Sequence, residues 1–179
     1  GIGLMALWYA TQKGQVEHKD FPSDDPLLGA VITPSQKAVL KYFWIVSGLF
    51  LLQILLGVIT AHYGVEGGAF YGIPLAEILP YVITRTWHTQ LGIFWIATAW
   101  LAAGLYIAPA VSGVEPKGQK TGVNILFIAL LIVVLGSMTG EWLSVKHLLP
   151  DNFWFYVGHS GYEYIDLGRF FQIALLIGL

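Results

Sequence analysis

The sequence predicts an all-α fold, a polytopic bundle of transmembrane helices with three complete spans and two truncated ones. Three observations carry this. Hydrophobic residues make up 56% of the 179 positions and charged residues 11%, and the mean hydropathy is +0.67, too apolar for a water-soluble domain of this size. Three runs, Val39–Ala61, Pro80–Ala108 and Gly122–Met138, hold charges only near their ends and approach the ~20 residues of a spanning helix. None alternates with period two. A barrel is therefore excluded, and a backbone in hydrocarbon must bond within its own helix.

The elements follow in order. Residues 1–10, GIGLMALWYA, are apolar but have no initiator Met, basic region or small-residue cleavage site. They read as the end of a preceding transmembrane helix rather than a signal peptide. Residues 11–38 form a hydrophilic connector rich in Asp, Pro and Lys, and residues 39–179 carry the spans. Pro80 suits the first turn of the middle span, Pro109 is expected to end it, and Ser112–Gly118 is a turn before the third. The final run, RFFQIALLIGL, is again apolar and again too short to span. The rest of the same polypeptide is thus an expected partner, with membrane lipid around it.

Lys13, Lys19, Lys37, Lys41, Lys117 and Lys120 flank the first and third loops, against Arg85, Lys146 and Arg169 on the other side. Six against three places the first and third loops inside and His88 toward the outer face. A net charge of −2 without a basic stripe gives no reason to expect nucleic acid. Zero cysteines exclude disulfides, thiolate-held iron–sulfur clusters and covalent haem attachment in these residues.

His88 is the anomaly of the middle span. It lies three residues beyond Arg85, about 4.5 Å deeper and on nearly the same face. One reading is an interfacial histidine snorkelling beside an arginine. The other is an axial haem ligand with Arg85 placed to meet the propionates, and with Gly92, Ala99 and Ala103 leaving a groove for a flat macrocycle or for a neighbouring helix. The other two runs contain no histidine. A second axial imidazole would have to come from elsewhere, which weighs against a dihaem cytochrome b of the quinol-oxidising type. A cofactor-free transporter would show broken helices or an ionisable residue near mid-membrane, and the three runs show neither.

His62, Glu66 and Phe70 are spaced by four just past the first run. They suit an aromatic interfacial turn, and equally a site that takes phenolic protons and an aromatic ring. Glu163 and Asp166 stand at the start of the last apolar run, where carboxylates favour a helix N-terminus. Asp166 with Arg169 suits a local helix pair. His147 and His159 read as surface residues.

RTWHTQLGIFWIATAWLAAGLYIAP (85–109), TGEWLSVKHLL (139–149) and GYEYIDLGRFFQ (161–172) resemble, in order, signature blocks of the nitric oxide reductases. These are the branch of the haem–copper oxidase superfamily that reduces NO to nitrous oxide in denitrification. The resemblance implies that residues 39–179 are the N-terminal part of a haem–copper oxidase-like core in a bacterial cytoplasmic membrane. It makes His88 the axial ligand of the low-spin haem b, whose second ligand comes from a later helix. The apolar start and the connector resemble the quinol-fed form, in which His62 and Glu66 are hydrogen-bond partners of quinol and Phe70 contacts its ring. Glu163 would be the protein carboxylate on a calcium bridging two haems. The ligands of the high-spin haem b and the non-haem iron would lie beyond Leu179, so no catalytic residue is assigned here. Ser160 stands where the family pattern leads to Gln, which leaves the local loop geometry open.

Overall fold

The computed structural model describes Thr11 and residues 31–159 and 167–178. Residues 1–10, most of the connector, and Ser160, Glu163 and Asp166 lie outside the described residues. Six helices are delimited among the described residues: α1 (Pro34–Val65), α2 (Leu75–Ile78), α3 (Tyr81–Ser112), α4 (Gln119–Val145), α5 (Trp154–Val157) and α6 (Gly168–Gly178). No strand occurs among the described residues. The three long helices, α1, α3 and α4, are long and apolar enough to cross a membrane.

Each span is longer than its apolar run, because caps outside the run set the helix ends. Thr33 closes a capping box: its Oγ1 accepts from Gln36 N at 3.3 Å, and Gln36 Oε1 accepts from Thr33 N at 2.9 Å. The helix therefore starts at Pro34 and takes in the end of the predicted connector. Ser35 N donates to Glu115 Oε1 at 2.9 Å, which ties this start to the turn after α3. Pro109 does not end α3 as expected. It sits in the last turn, where the bond it cannot donate is one among the last few, and the helix closes at Gly113, whose N–H meets Pro109 O at 3.0 Å. Gly113 has φ 68°, the left-handed geometry that favours glycine at this position. At 32 residues, α1 and α3 are about 48 Å long. That slightly exceeds the ~40–45 Å of a bilayer with its headgroups.

Partner numbers give the packing directions. Gln36 meets Tyr106 O at 2.8 Å, while Gln53 and His88 meet near the other end, so α1 and α3 run antiparallel. Val39, Tyr42, Ala102 and Val123 form one apolar cluster near the start of α1. Tyr42 sits wholly buried in it because its hydroxyl donates to Val123 O at 2.7 Å. Leu56, Leu91, Phe94, Val133, Val134, Met138 and Phe171 form a second cluster that joins α1, α3, α4 and α6. Gly136 makes room for α6, since a Cβ there would lie 2.5 Å from the Phe171 ring.

Candidate functional site

His88 lies on α3 where α1 offers Gly57. A Cβ at position 57 would lie 2.7 Å from His88 Cε1 and 2.9 Å from Nδ1, so only glycine lets the ring rest against this helix. His88 Nδ1 is 2.8 Å from Gln53 O. A carbonyl only accepts, so Nδ1 carries the proton and Nε2 holds the lone pair. This is the arrangement by which a backbone carbonyl fixes the tautomer and orientation of a metal-binding imidazole. The donor chemistry therefore fits an axial haem ligand through Nε2. His88 is half-buried and Arg85 is exposed, one turn toward the helix start.

The stripe of small residues has two fates. Gly92 receives Gln53, since a Cβ there would lie 2.8 Å from Gln53 Nε2. Gln53 Oε1 accepts from Trp95 Nε1 at 2.7 Å. At Gly92 the stripe thus serves helix packing, while Ala103 faces outward and Ala99 is half-buried.

His62, Glu66 and Phe70 come together as a cluster. α1 extends past its apolar run and carries His62 in its last turn, so a spanning helix does hold a second histidine, contrary to expectation. Glu66 caps the same helix, and its Oε2 is 3.2 Å from His62 Nδ1. Phe70 returns over the imidazole as a parallel stack, with centroids 3.9 Å apart and planes 8° apart. Tyr71 meets His62 edge-on at 5.9 Å and Tyr63 at 6.1 Å. Imidazole and carboxylate are both partly open to the surroundings, at 36% and 42% side-chain exposure, so a ligand can reach both.

The loop from Gly67 to Pro80 that carries Phe70 and Tyr71 is anchored at its far end by α4. Trp142 Nε1 donates to Ile78 O at 2.8 Å, and Lys146 Nζ donates to Glu77 O at 2.6 Å. Within the loop, Gly68 comes so close to Ala76 that a Cβ at 68 would lie 2.9 Å from it. Reading by apolar runs passes over these anchors, because it ends the third span at Met138. The TGEWLSVKHLL block contains their signal: an amphipathic tryptophan and a lysine one turn apart at the end of a span.

The same shortening hides Glu141. α4 runs to Val145 and buries Glu141 completely, against Gln90 of α3. Glu141 is thereby an ionisable residue within a spanning helix, although it stands in the last turns of α4 and not near the middle. Among the described residues no group of three His, Cys, Asp or Glu side chains is gathered to hold a metal. Glu163, the calcium candidate, lies outside them, as does Asp166. Arg169 donates to Gln172 Oε1 at 2.7 Å and lies over the Phe155 ring.

Comparison with known proteins bears on this arrangement. The family model described as cytochrome c and quinol oxidase polypeptide I matches residues 37–179. A nitric oxide reductase subunit from Stutzerimonas stutzeri is similar, with 22% identity over 146 residues. That alignment covers 80% of this chain and 29% of that relative.

Proposed function

Because the chain belongs to the cytochrome c and quinol oxidase polypeptide I family, we propose that it is part of a membrane nitric oxide reductase that takes electrons from quinol and passes them through a haem b on His88. The observation that carries this is the seating of His88 on Gly57, with Nδ1 committed to Gln53 O and Nε2 left to bind iron. The nitric oxide substrate rests on the three sequence blocks and on the similarity to a nitric oxide reductase subunit.

Oxidation of quinol to quinone releases two electrons and two protons. His62 and Glu66 supply an imidazole and a carboxylate that accept the phenolic protons, and Phe70 and Tyr71 give the ring an aromatic wall. Haem held by His88 supplies a one-electron carrier. Gln53 O keeps the imidazole in one tautomer and one orientation, and Arg85 is placed to pair with propionates. Glu163 is assigned to calcium by the resemblance. The high-spin haem b and the non-haem iron are assigned to the remaining part of the polypeptide.

The test uses the intact membrane protein. His88→Ala should remove the reduced low-spin haem band, and its retention overturns the haem assignment. His62→Leu and Glu66→Leu should each impair quinol-driven NO consumption by an order of magnitude or more. Turnover with an artificial donor and both haem spectra should persist. Full quinol-driven activity in both variants refutes the quinol site, and wild-type protein that consumes no NO with either donor refutes the substrate.

A further inference from the structure

A polar cavity of about 360 Å³ lies at the C-terminal end of α4, lined by none of the residues assigned above. With 27 residues, α4 is about 40 Å long, close to the thickness of a bilayer with its headgroups, so its last turn lies at headgroup depth. Ser144 stands in that turn and lines the cavity; it is 8% exposed, and its buried hydroxyl has no hydrogen-bond partner. Buried hydroxyls are ordinarily bonded, so this one is left for a group that enters the cavity. The helix closes just beyond it in a Schellman turn: His147 N donates to Ser144 O at 3.1 Å and Leu148 N to Leu143 O at 2.9 Å. His147 therefore takes φ 54°, where glycine is the residue of least strain. The side chain held there instead is an imidazole that lines the cavity. Asn152, with φ 71°, is the other non-glycine residue in left-handed geometry among the described residues, and it lines the same cavity. Gly140 lets α5 lie against α4, since a Cβ there would collide with Val157 O. This brings Trp154 and His159 to the cavity wall, their rings edge-on at 6.2 Å.

The lining sorts ligands. Ser144, His147, Asp151, Asn152 and His159 bring a hydroxyl, imidazoles, a carboxylate and an amide, while Leu149, Pro150 and Trp154 give an apolar side. Among the described residues no lysine or arginine lines the cavity. A phosphate head would meet Asp151 with no cation to balance it, which disfavours a phospholipid. A neutral donor of hydroxyl protons suits a set rich in acceptors. The volume is at the low end of the ~300–1,000 Å³ of small-molecule sites and gives room for one substituted ring. The residues that alternate with the lining, Leu148, Phe153 and Phe155, are apolar and exposed. At headgroup depth such a skirt faces lipid, so the ligand is one that arrives through the bilayer on an apolar tail. Imidazole, carboxylate and aromatic ring are also the three chemistries gathered at His62, Glu66 and Phe70.

We propose that this cavity is a second binding site for quinol, in which Ser144, His147 and Asp151 hold the ring hydroxyls and Trp154 lies against the ring. The inference rests on the quinol reading of the chain, and it concerns binding alone: no electron or proton transfer is assigned to the cavity. It shares no lining residue with the His62 cluster, so substitutions can empty one site and leave the other.

Photolabelling of the intact protein in phosphatidylcholine nanodiscs with an azido-quinol that carries an isoprenoid tail tests it, the labelled segments being located by peptide mass. Two segments should take label, one holding His62–Tyr71 and one holding His147–His159, and excess unlabelled quinol should displace both. His147→Gly removes the imidazole at a position whose backbone suits glycine, so it should fold as wild type does. It and Asp151→Ala should each lower label at the second segment by about fivefold or more, the loss of one net hydrogen bond, and leave the first unchanged. Visible haem spectra report that each variant is folded. Label confined to the first segment overturns the second site and leaves the quinol reading standing, whereas label at neither overturns that reading and this site with it. Label at the second alone keeps this site and overturns the assignment of His62. Label at the second segment that unlabelled quinol does not displace, or that both variants retain in full, is adventitious and overturns the site. Displacement by an alkyl glucoside and not by quinol overturns the choice of ligand.

Discussion

Replacing Gly57 by alanine probes the seat of His88 without touching the histidine. A Cβ there stands 2.7 Å from Cε1 and 2.9 Å from Nδ1, whereas non-bonded carbons rest at about 3.5–4.0 Å, so the ring must retreat by roughly 1 Å. The retreat lengthens the 2.8 Å bond to Gln53 O to about 3.5 Å or more, where it no longer counts as a hydrogen bond. Losing the bond costs about 0.5–1.5 kcal/mol and the overpacking about 1–3 kcal/mol. The better helix propensity of alanine returns about 1 kcal/mol. The net expectation is a destabilisation of about 1–3 kcal/mol, with a loosened imidazole. Gly48→Ala on the same helix is the control: nothing lies within 4 Å of its added Cβ, so it should be neutral or stabilise by up to about 1 kcal/mol. Reduced-minus-oxidised spectra and thermal melting of the two variants separate the effects. Gly57→Ala should shift or weaken the low-spin haem band and lower Tm, while Gly48→Ala should leave the band alone. Identical behaviour of the two variants would refute the seating argument.

Two further outcomes concern anchors. Trp142→Phe and Lys146→Met each remove one bond to the loop behind Phe70, so each should raise the quinol KM several-fold with artificial-donor turnover unchanged. Lys146→Arg should restore it, and steady-state kinetics with both donors checks this. Thr33→Ala removes the capping box of α1 and should lower stability by about 1 kcal/mol. A melting temperature equal to wild type would show that this helix end is held by other contacts, such as Ser35 to Glu115.

The spans were legible because hydrocarbon imposes one rule on every residue within it: carry no unpaired polar group. Their ends were not legible by the same rule. Thr33–Gln36 and Gly113 lie outside the apolar runs and act through hydrogen bonds and backbone geometry. The four-residue spacing of His62, Glu66 and Phe70 was legible, and the structure gathers all three. Gln53 and Gly57 carry no comparable signal, since a backbone carbonyl and an absent side chain become meaningful only when another helix meets them. Glu141 was visible as a letter but fell outside the apolar run, which closes at Met138, so the run gave no sign that the helix carries on past it.

The seat of His88 and the stack over His62 belong to one unbroken helix, and this makes α1 a ruler. From Gly57 to His62 the helix advances about 7.5 Å and turns about 140° beyond a full revolution. One residue inserted between them would swing the His62 cluster a further ~100° around the axis while His88 kept its place. Val58, Ile59, Thr60 and Ala61 are therefore constrained first in number and only then in identity. Such a segment tolerates exchange of side chains far better than a change of length, because the phase between its two seats is written in residues rather than in contacts.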